Sequence, residues 1–127
     1  MPAIESELIT VGDDYRARCE AMQKALDEFR AAEEQVAATE RGAKDKFVKR
    51  GKLLPRERID RLLDSGAPFV ELMSLAGRKM HDDRDGSTAG GGVIAGIGYV
   101  GGIRCLVTAS NSAIKGGTIA PAGLHKS

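Results

Sequence analysis

The 127-residue chain has no tryptophan, and only 4% of it is aromatic. Proteins that grip single-stranded nucleic acid stack bases on aromatic rings, so this composition speaks against that class. A dominant sign of charge is missing as well. Nineteen lysines and arginines stand against 18 aspartates and glutamates, a net of +1. That balance provides no field to draw the chain to nucleic acid or a membrane. The two cysteines, Cys19 and Cys105, share no short spacing, which fits reduced thiols in a cytoplasmic chain. No apolar run reaches the ~18 residues of a membrane span. The opening MPAIESELITVGDD has neither the basic region nor the apolar core of a signal peptide.

Several catalytic signatures are missing too. No G-x-x-x-x-G-K-[ST] phosphate loop occurs, and no two carboxylates stand out as a general acid and base. Ser110, Ser112 and Thr118 lack a suitable histidine base, because His81 sits in a polar tract and His125 near the C-terminus. His81, Asp82, Asp83 and Asp85 crowd one stretch, but adjacent loop side chains rarely converge on one ion. The expectation there is a mobile surface loop without a metal.

Glycine, by contrast, is plentiful and uneven. Of 16 glycines only Gly12, Gly42, Gly51 and Gly66 precede residue 70, so a helical first half joins a glycine-rich strand half. The chain has no internal repeat. Residues 13–41 read as one long helix, with Thr10 and Asp13 resembling a capping box and Gly42 as the stop. Tyr15, Cys19, Met22, Leu26, Phe29 and Val36 recur at intervals of 4, 3, 4, 3 and 7, a narrow coiled-coil type of seam. It is either an arm packed against another chain or larger body, or an ordinary amphipathic surface helix.

Ala43–Lys52 holds five basic residues in ten, and is either a solvated linker or a site for an anionic group. Leu53–Gly66 reads as a short helix with Pro55 in its first turn. Ile59, Leu62 and Leu63 form its buried stripe, and Arg56, Glu57, Asp60 and Arg61 face water or a partner. Phe69–Leu72 alternates like a short strand. Val93–Val100 and Ile103–Ala109 flank Gly101-Gly102 and predict a hairpin with a primed turn, both faces covered.

Gly96–Gly101 spells G-x-G-x-x-G, but a dinucleotide fingerprint lies between a strand and a helix, and here a second strand follows. The loop Ala113–Thr118 is a better candidate. Its paired glycines either aim backbone amides at a developing oxyanion or simply make a tight turn.

Three segments in order, RGKLLPRERIDRLLDSGAPFVEL (Arg50–Leu72), GGGVIAGIGYVGGIRCLVTAS (Gly90–Ser110) and KGGT (Lys115–Thr118), resemble one family. They are similar to the beginning of the carboxyltransferase (β) subunit of biotin-dependent acyl-CoA carboxylases, which act on propionyl-, methylcrotonyl- or geranyl-CoA. The resemblance covers about Phe47 to Thr118. It implies an α/β crotonase-like fold, of which this chain would hold the N-terminal helical arm and the first β-β unit. Residues 1–52 would be the arm and basic linker, and 53–127 the start of the acyl-CoA-binding domain.

The resemblance further implies transfer of a carboxyl group from carboxybiotin to an acyl-CoA enolate, with backbone amides holding the oxyanions. Biotin would ride on a partner chain, the biotin carboxylase and carboxyl carrier (α) subunit, and other β copies would complete an oligomer. Lys115, Gly116, Gly117 and Thr118 match a CoA-contacting loop. Arg50, Lys52 and Arg56 are candidates for CoA phosphates or a subunit contact. No catalytic side chain is assigned. Family chains are several times longer, so these 127 residues alone are expected to be inactive. The alternative is a short non-catalytic protein that uses the helical seam to bind other subunits.

Overall fold

A computed structural model describes residues 9–81 and 83–126. The chain divides into two compact units, Met1–Ala31 and Ala32–Ser127. One 30-residue helix, α1 (Asp13–Gly42), crosses the boundary. Its first turn carries Asp13 and Asp14, which suit the positive end of the helix dipole. Gly12, at φ 110°, precedes the helix, and its carbonyl accepts the amide of Arg16. Thr10 therefore lies ahead of the cap position, and the expected capping box does not form.

Within the second unit, α1 is followed by α2 (Lys44–Val48), so part of the basic run is helical rather than an extended linker. Gly51, at φ 63°, closes α2: its amide donates to Val48 and that of Lys52 reaches back to Phe47. Such paired bonds satisfy the last carbonyls of a helix, and glycine adopts the required left-handed backbone without strain.

The next helix, α3 (Pro55–Leu62), starts as the sequence suggests: Pro55 opens it, and the Glu57 carboxylate accepts the Leu54 amide at 2.9 Å. It ends earlier than expected. Asp64 leaves the helical path, donates its amide to Tyr99 O at 2.9 Å, and accepts the Gly101 and Gly102 amides on its carboxylate at 2.7 Å each. This clamp bends the chain, so Leu62 is 52% exposed, while Ile59 is buried and Leu63 packs beside it.

The strands β1 (Val70–Glu71), β2 (Val93–Val100) and β3 (Ile103–Ser110) form one antiparallel sheet in the order β1-β2-β3. Gly101 and Gly102 have φ of 60° and 76°, the primed hairpin turn that matches strand twist. Register pairs Val93 with Ser110 at one end and Val100 with Ile103 at the other. Ile94, Val107, Ala109 and Cys105 share the face covered by Ile59, Leu63 and Phe69. On the other face Val93 and Ala95 are buried among the described residues, whereas Val70, Ile97 and Leu106 are exposed, Leu106 by 68%. The expected cover on both faces is thus present on one, because α3 is the helix that packs on the strands.

Gly96 and Gly98 lie on the covered face, and packing explains both. A Cβ at Gly98 would stand 2.5 Å from Leu63 Cδ2, and one at Gly96 would overlap the Phe69 ring and sit 2.7 Å from Val70 O. The G-x-G letters mark where α3 and an aromatic ring press on the sheet. Gly98→Ala should therefore destabilise the chain by about 1–3 kcal/mol through overpacking. Gly42, with no neighbour within 4 Å of its absent Cβ, should tolerate alanine or gain up to about 1 kcal/mol. Urea unfolding of the two variants checks this, and equal effects would refute the packing explanation.

Candidate functional site

The loop after β3 is built from its anchors outward. Asn111 is buried, and its amide donates to Gly92 O at 2.8 Å. Ile114 is also buried, in a cluster with Val36 of α1 and Ala89. Between these anchors and a one-turn helix, α4 (Pro121–Leu124), runs Lys115-Gly116-Gly117, with successive φ values of 47°, 67° and 90°. Three consecutive left-handed residues turn the backbone into an exposed crest. The Gly117 amide donates to Ile114 O at 3.0 Å, and the Thr118 hydroxyl donates to Lys115 O at 3.1 Å.

The underside of this loop is closed by glycines. Ala120 donates its amide to Gly91 O at 3.0 Å, and a Cβ on Gly91 would lie 2.5 Å from Gly123 N. The fissure left beside Gly91, Gly92, Ile114 and Thr118 has a volume of only about 10 Å³, room for roughly one water molecule. A ligand of any size can meet this loop only on its outer side. There Gly116 has no atom within 4 Å of where a Cβ would stand, whereas Gly117 would meet Ser110 and Ser112 at 3.3 Å.

Behind the loop sits a polar network. Arg56, near the start of α3, donates Nε to Glu40 Oε2, and its Nη2 reaches Glu40 Oε1 at 3.2 Å. The same guanidinium donates Nη1 to Glu71 Oε2 at 2.6 Å and Nη2 to Glu71 Oε1 at 3.2 Å. Glu40 is only 4% exposed and also accepts Asn111 Nδ2 at 2.6 Å. Burial opposes the charge on Arg56, but the bonds to Glu71 and Glu40 outweigh it and hold the pKa above its ordinary value. Lys126 lies close enough to feel both carboxylates and Arg56, and burial pushes its ammonium below the usual lysine range.

Of the residues expected at a site, Lys115–Thr118 form one continuous exposed loop. Arg50 and Lys52 are exposed near the end of α2 and do not line the fissure. Arg56 is half-buried rather than fully facing water: two carboxylates take its fork while 39% of its side chain stays exposed. An open groove of about 340 Å³ runs beside it, walled by Leu54, Pro55, Arg41, Lys44 and Ala113.

The polar tract 78–86 is also more ordered in its contacts than a bare surface loop. Asp83 is buried, and it accepts the Lys79 amide at 2.9 Å, the Thr88 hydroxyl at 2.8 Å and the Thr88 amide at 3.1 Å. Burial raises its pKa, but these three bonds prevail and hold it below the usual carboxylate range. Asp82 lies outside the described residues. Among the described residues no group of three or more potential ligands gathers around a metal position, and no helix is long and apolar enough to cross a membrane. Glu40, Asp64, Asp83 and Asn111 carry much of this architecture, and sequence reasoning missed their roles, which depend on partners 4 to 71 residues away.

A carboxyl transferase domain family model matches residues 46–127. The chain is similar to the beta subunit of Pseudomonas aeruginosa geranyl-CoA carboxylase in its crystal structure. That likeness has 58% identity and a TM-score of 0.86, over 98% of this chain and 23% of the other. It is 49% identical over 84 residues to the biotin-dependent 3-methylcrotonyl-coenzyme A carboxylase beta1 subunit of Mycobacterium tuberculosis, covering 66% of this chain and 15% of the relative. It is 35% identical over 124 residues to a probable mitochondrial methylcrotonoyl-CoA carboxylase beta chain of Drosophila melanogaster, covering 97% and 21%. The chain thus spans less than a quarter of the length of these relatives.

Two outcomes test the polar architecture. Arg56→Ala leaves Glu40 buried without its cation and should cost about 3 kcal/mol in urea unfolding. Arg56→Lys should recover little, since an ammonium cannot fork. Asp83→Asn should cost about 1–2 kcal/mol near neutral pH. Because the folded-state pKa of Asp83 is depressed, its carboxylate stabilises the fold above the unfolded value of about 4 and loses that effect as pH falls through the folded value. The gap between wild type and Asp83→Asn should therefore shrink in acid; a pH-independent gap would contradict the assignment.

Proposed function

Because this chain belongs to the carboxyl transferase domain family, we propose that it supplies the N-terminal portion of the carboxyltransferase (β) subunit of a biotin-dependent acyl-CoA carboxylase. Its elements are the N-terminal helix and first β-β unit of a crotonase-like fold. The observation that carries the proposal is the likeness, along nearly the whole chain, to a geranyl-CoA carboxylase beta subunit. The complete subunit moves a carboxyl group from carboxybiotin to the α carbon, or the vinylogous γ carbon, of an acyl-CoA. Biotin belongs to a partner chain, the biotin carboxylase and carrier subunit, and supplies the carboxyl group. Further β copies complete the assembly, and residues 53–127 open the acyl-CoA-binding domain.

Within this reading the outer side of Lys115–Thr118 is the CoA contact. The support is geometric: the crest is exposed, its φ values are fixed by two glycines, and Ile114 and Asn111 hold its base. A backbone wall of this kind binds by shape and amide dipoles, without a catalytic side chain. The Lys115 side chain, and the exposed cations Arg50 and Lys52 if the assembly brings them near, are suited to the anionic end of the substrate. Arg56 is assigned to the fold instead, since its charge is already met.

The complete subunit with its biotinylated partner should carboxylate at least one of geranyl-, 3-methylcrotonyl- and propionyl-CoA. Gly116→Ala places a methyl where the structure has open space, at a cost in backbone strain of about 1 kcal/mol. It should raise KM for the acyl-CoA several-fold while the thermal midpoint moves by only a few degrees. Turnover of none of the three substrates would overturn the activity, and an unchanged KM would move the CoA contact elsewhere.

A further inference from the structure

The first unit leaves an apolar seam in the open. Met22 is 62% exposed, Phe29 48% and Leu26 40%, and these join Tyr15 and Cys19 along one side of α1. Ile9 and Val11 help wall an open groove of about 800 Å³ that runs past Tyr15, Cys19, Met22 and Leu26. The intervals fix the heptad register: Cys19 and Leu26 take the a positions, and Tyr15, Met22 and Phe29 take d.

That register places the charges. The positions flanking the seam, e and g, hold Arg16, Arg18, Gln23, Ala25 and Arg30, with no acid among them. The acids of this stretch, Asp13, Asp14, Glu20, Asp27 and Glu28, all fall at b or c, on the outer side. Among the described residues the flanking arginines pair with those acids: Arg18 with Asp14 at 2.6 Å, Arg16 with Asp13 at 3.5 Å and Arg30 with Asp27 at 3.7 Å. Exposed pairs such as these contribute little and rearrange easily.

We propose that the Asp13–Ala31 stretch of α1 docks a helix of a different protein chain, one whose apolar heptad stripe is flanked by aspartate and glutamate. The e and g positions set partner choice in a coiled coil. A parallel second copy sets Arg18 against Gln23 and Ala25 against Arg30, which makes no ion pair. An antiparallel copy brings Arg16 towards Arg30, like against like. An acidic-flanked helix pairs all three arginines. A membrane surface fits less well, because Asp13–Ala31 carries five acids against four bases and the seam is narrow.

The test uses the complete subunit and two synthetic four-heptad peptides. Both have leucine at a and d; one has glutamate at e and g, the other lysine. The glutamate peptide should bind at least about tenfold more tightly than the lysine peptide, and less tightly as salt is raised. Combining Arg16→Glu, Arg18→Glu and Arg30→Glu should reverse the preference while circular dichroism shows the helix retained. Four outcomes overturn the proposal. They are equal binding of both peptides, binding of neither, capture by phosphatidylserine vesicles without peptide binding, and self-association abolished by Met22→Ala with Leu26→Ala.

Discussion

Arg56 sends a planar fork into the second unit, and three other pieces of chain converge on it directly or through one shared carboxylate. Glu40 ends α1, Arg56 begins α3, Glu71 lies in β1, and Asn111 follows β3. A guanidinium suits this place because it meets two carboxylates at once with fixed geometry, which a lysine cannot do. The network ties the C-terminal part of α1 to α3, to β1 and to the loop after β3, near where Val36 meets Ile114. Buried ion pairs are not strong stabilisers in general, since desolvation offsets much of the attraction. Here the gain is positional, because one guanidinium ties carboxylates from two separate elements to α3.

The glycines serve the same positioning purpose by a different means. Gly96 and Gly98 let Phe69 and Leu63 approach the sheet, Gly91 lets α4 lie against the backbone, and Gly101-Gly102 turn the hairpin under Asp64. On the exposed crest Gly116 combines left-handed backbone with open space, as Gly101 and Gly102 do at the hairpin turn, whereas Gly117 packs against Ser110 and Ser112. The glycine-rich sequence thus separates into packing positions, such as Gly91, Gly96 and Gly98, and open turn positions, such as Gly101, Gly102 and Gly116. The distinction rests on what a Cβ would touch.

The two units differ in how they use the same helix. Along Ala32–Gly42 the inward side of α1 is occupied by the chain's own loops, with Ser74 donating to Glu33 at 2.7 Å and Gln35 donating to Asp85 O at 3.2 Å. Along Asp13–Ala31 the apolar seam remains exposed and arginines flank it.

Sequence alone determined the elements whose signal is local. The 3- and 4-residue spacing of apolar side chains specified α1, Pro55 and Glu57 specified the start of α3, and Gly101-Gly102 between two apolar runs specified the hairpin. The three ordered motifs also determined the family, and with it the loop Lys115–Thr118 as the place to look. Tertiary structure decided the rest, because those outcomes depend on partners distant in the chain. Asp64 ends α3 early only because the hairpin turn offers two amides, Arg56 is half-buried only because Glu40 and Glu71 meet it there, and Asp83 is buried only because Lys79 and Thr88 close over it. Charged side chains look alike in sequence whether they face water or a buried partner; their pairing is fixed by the fold that brings the partner near.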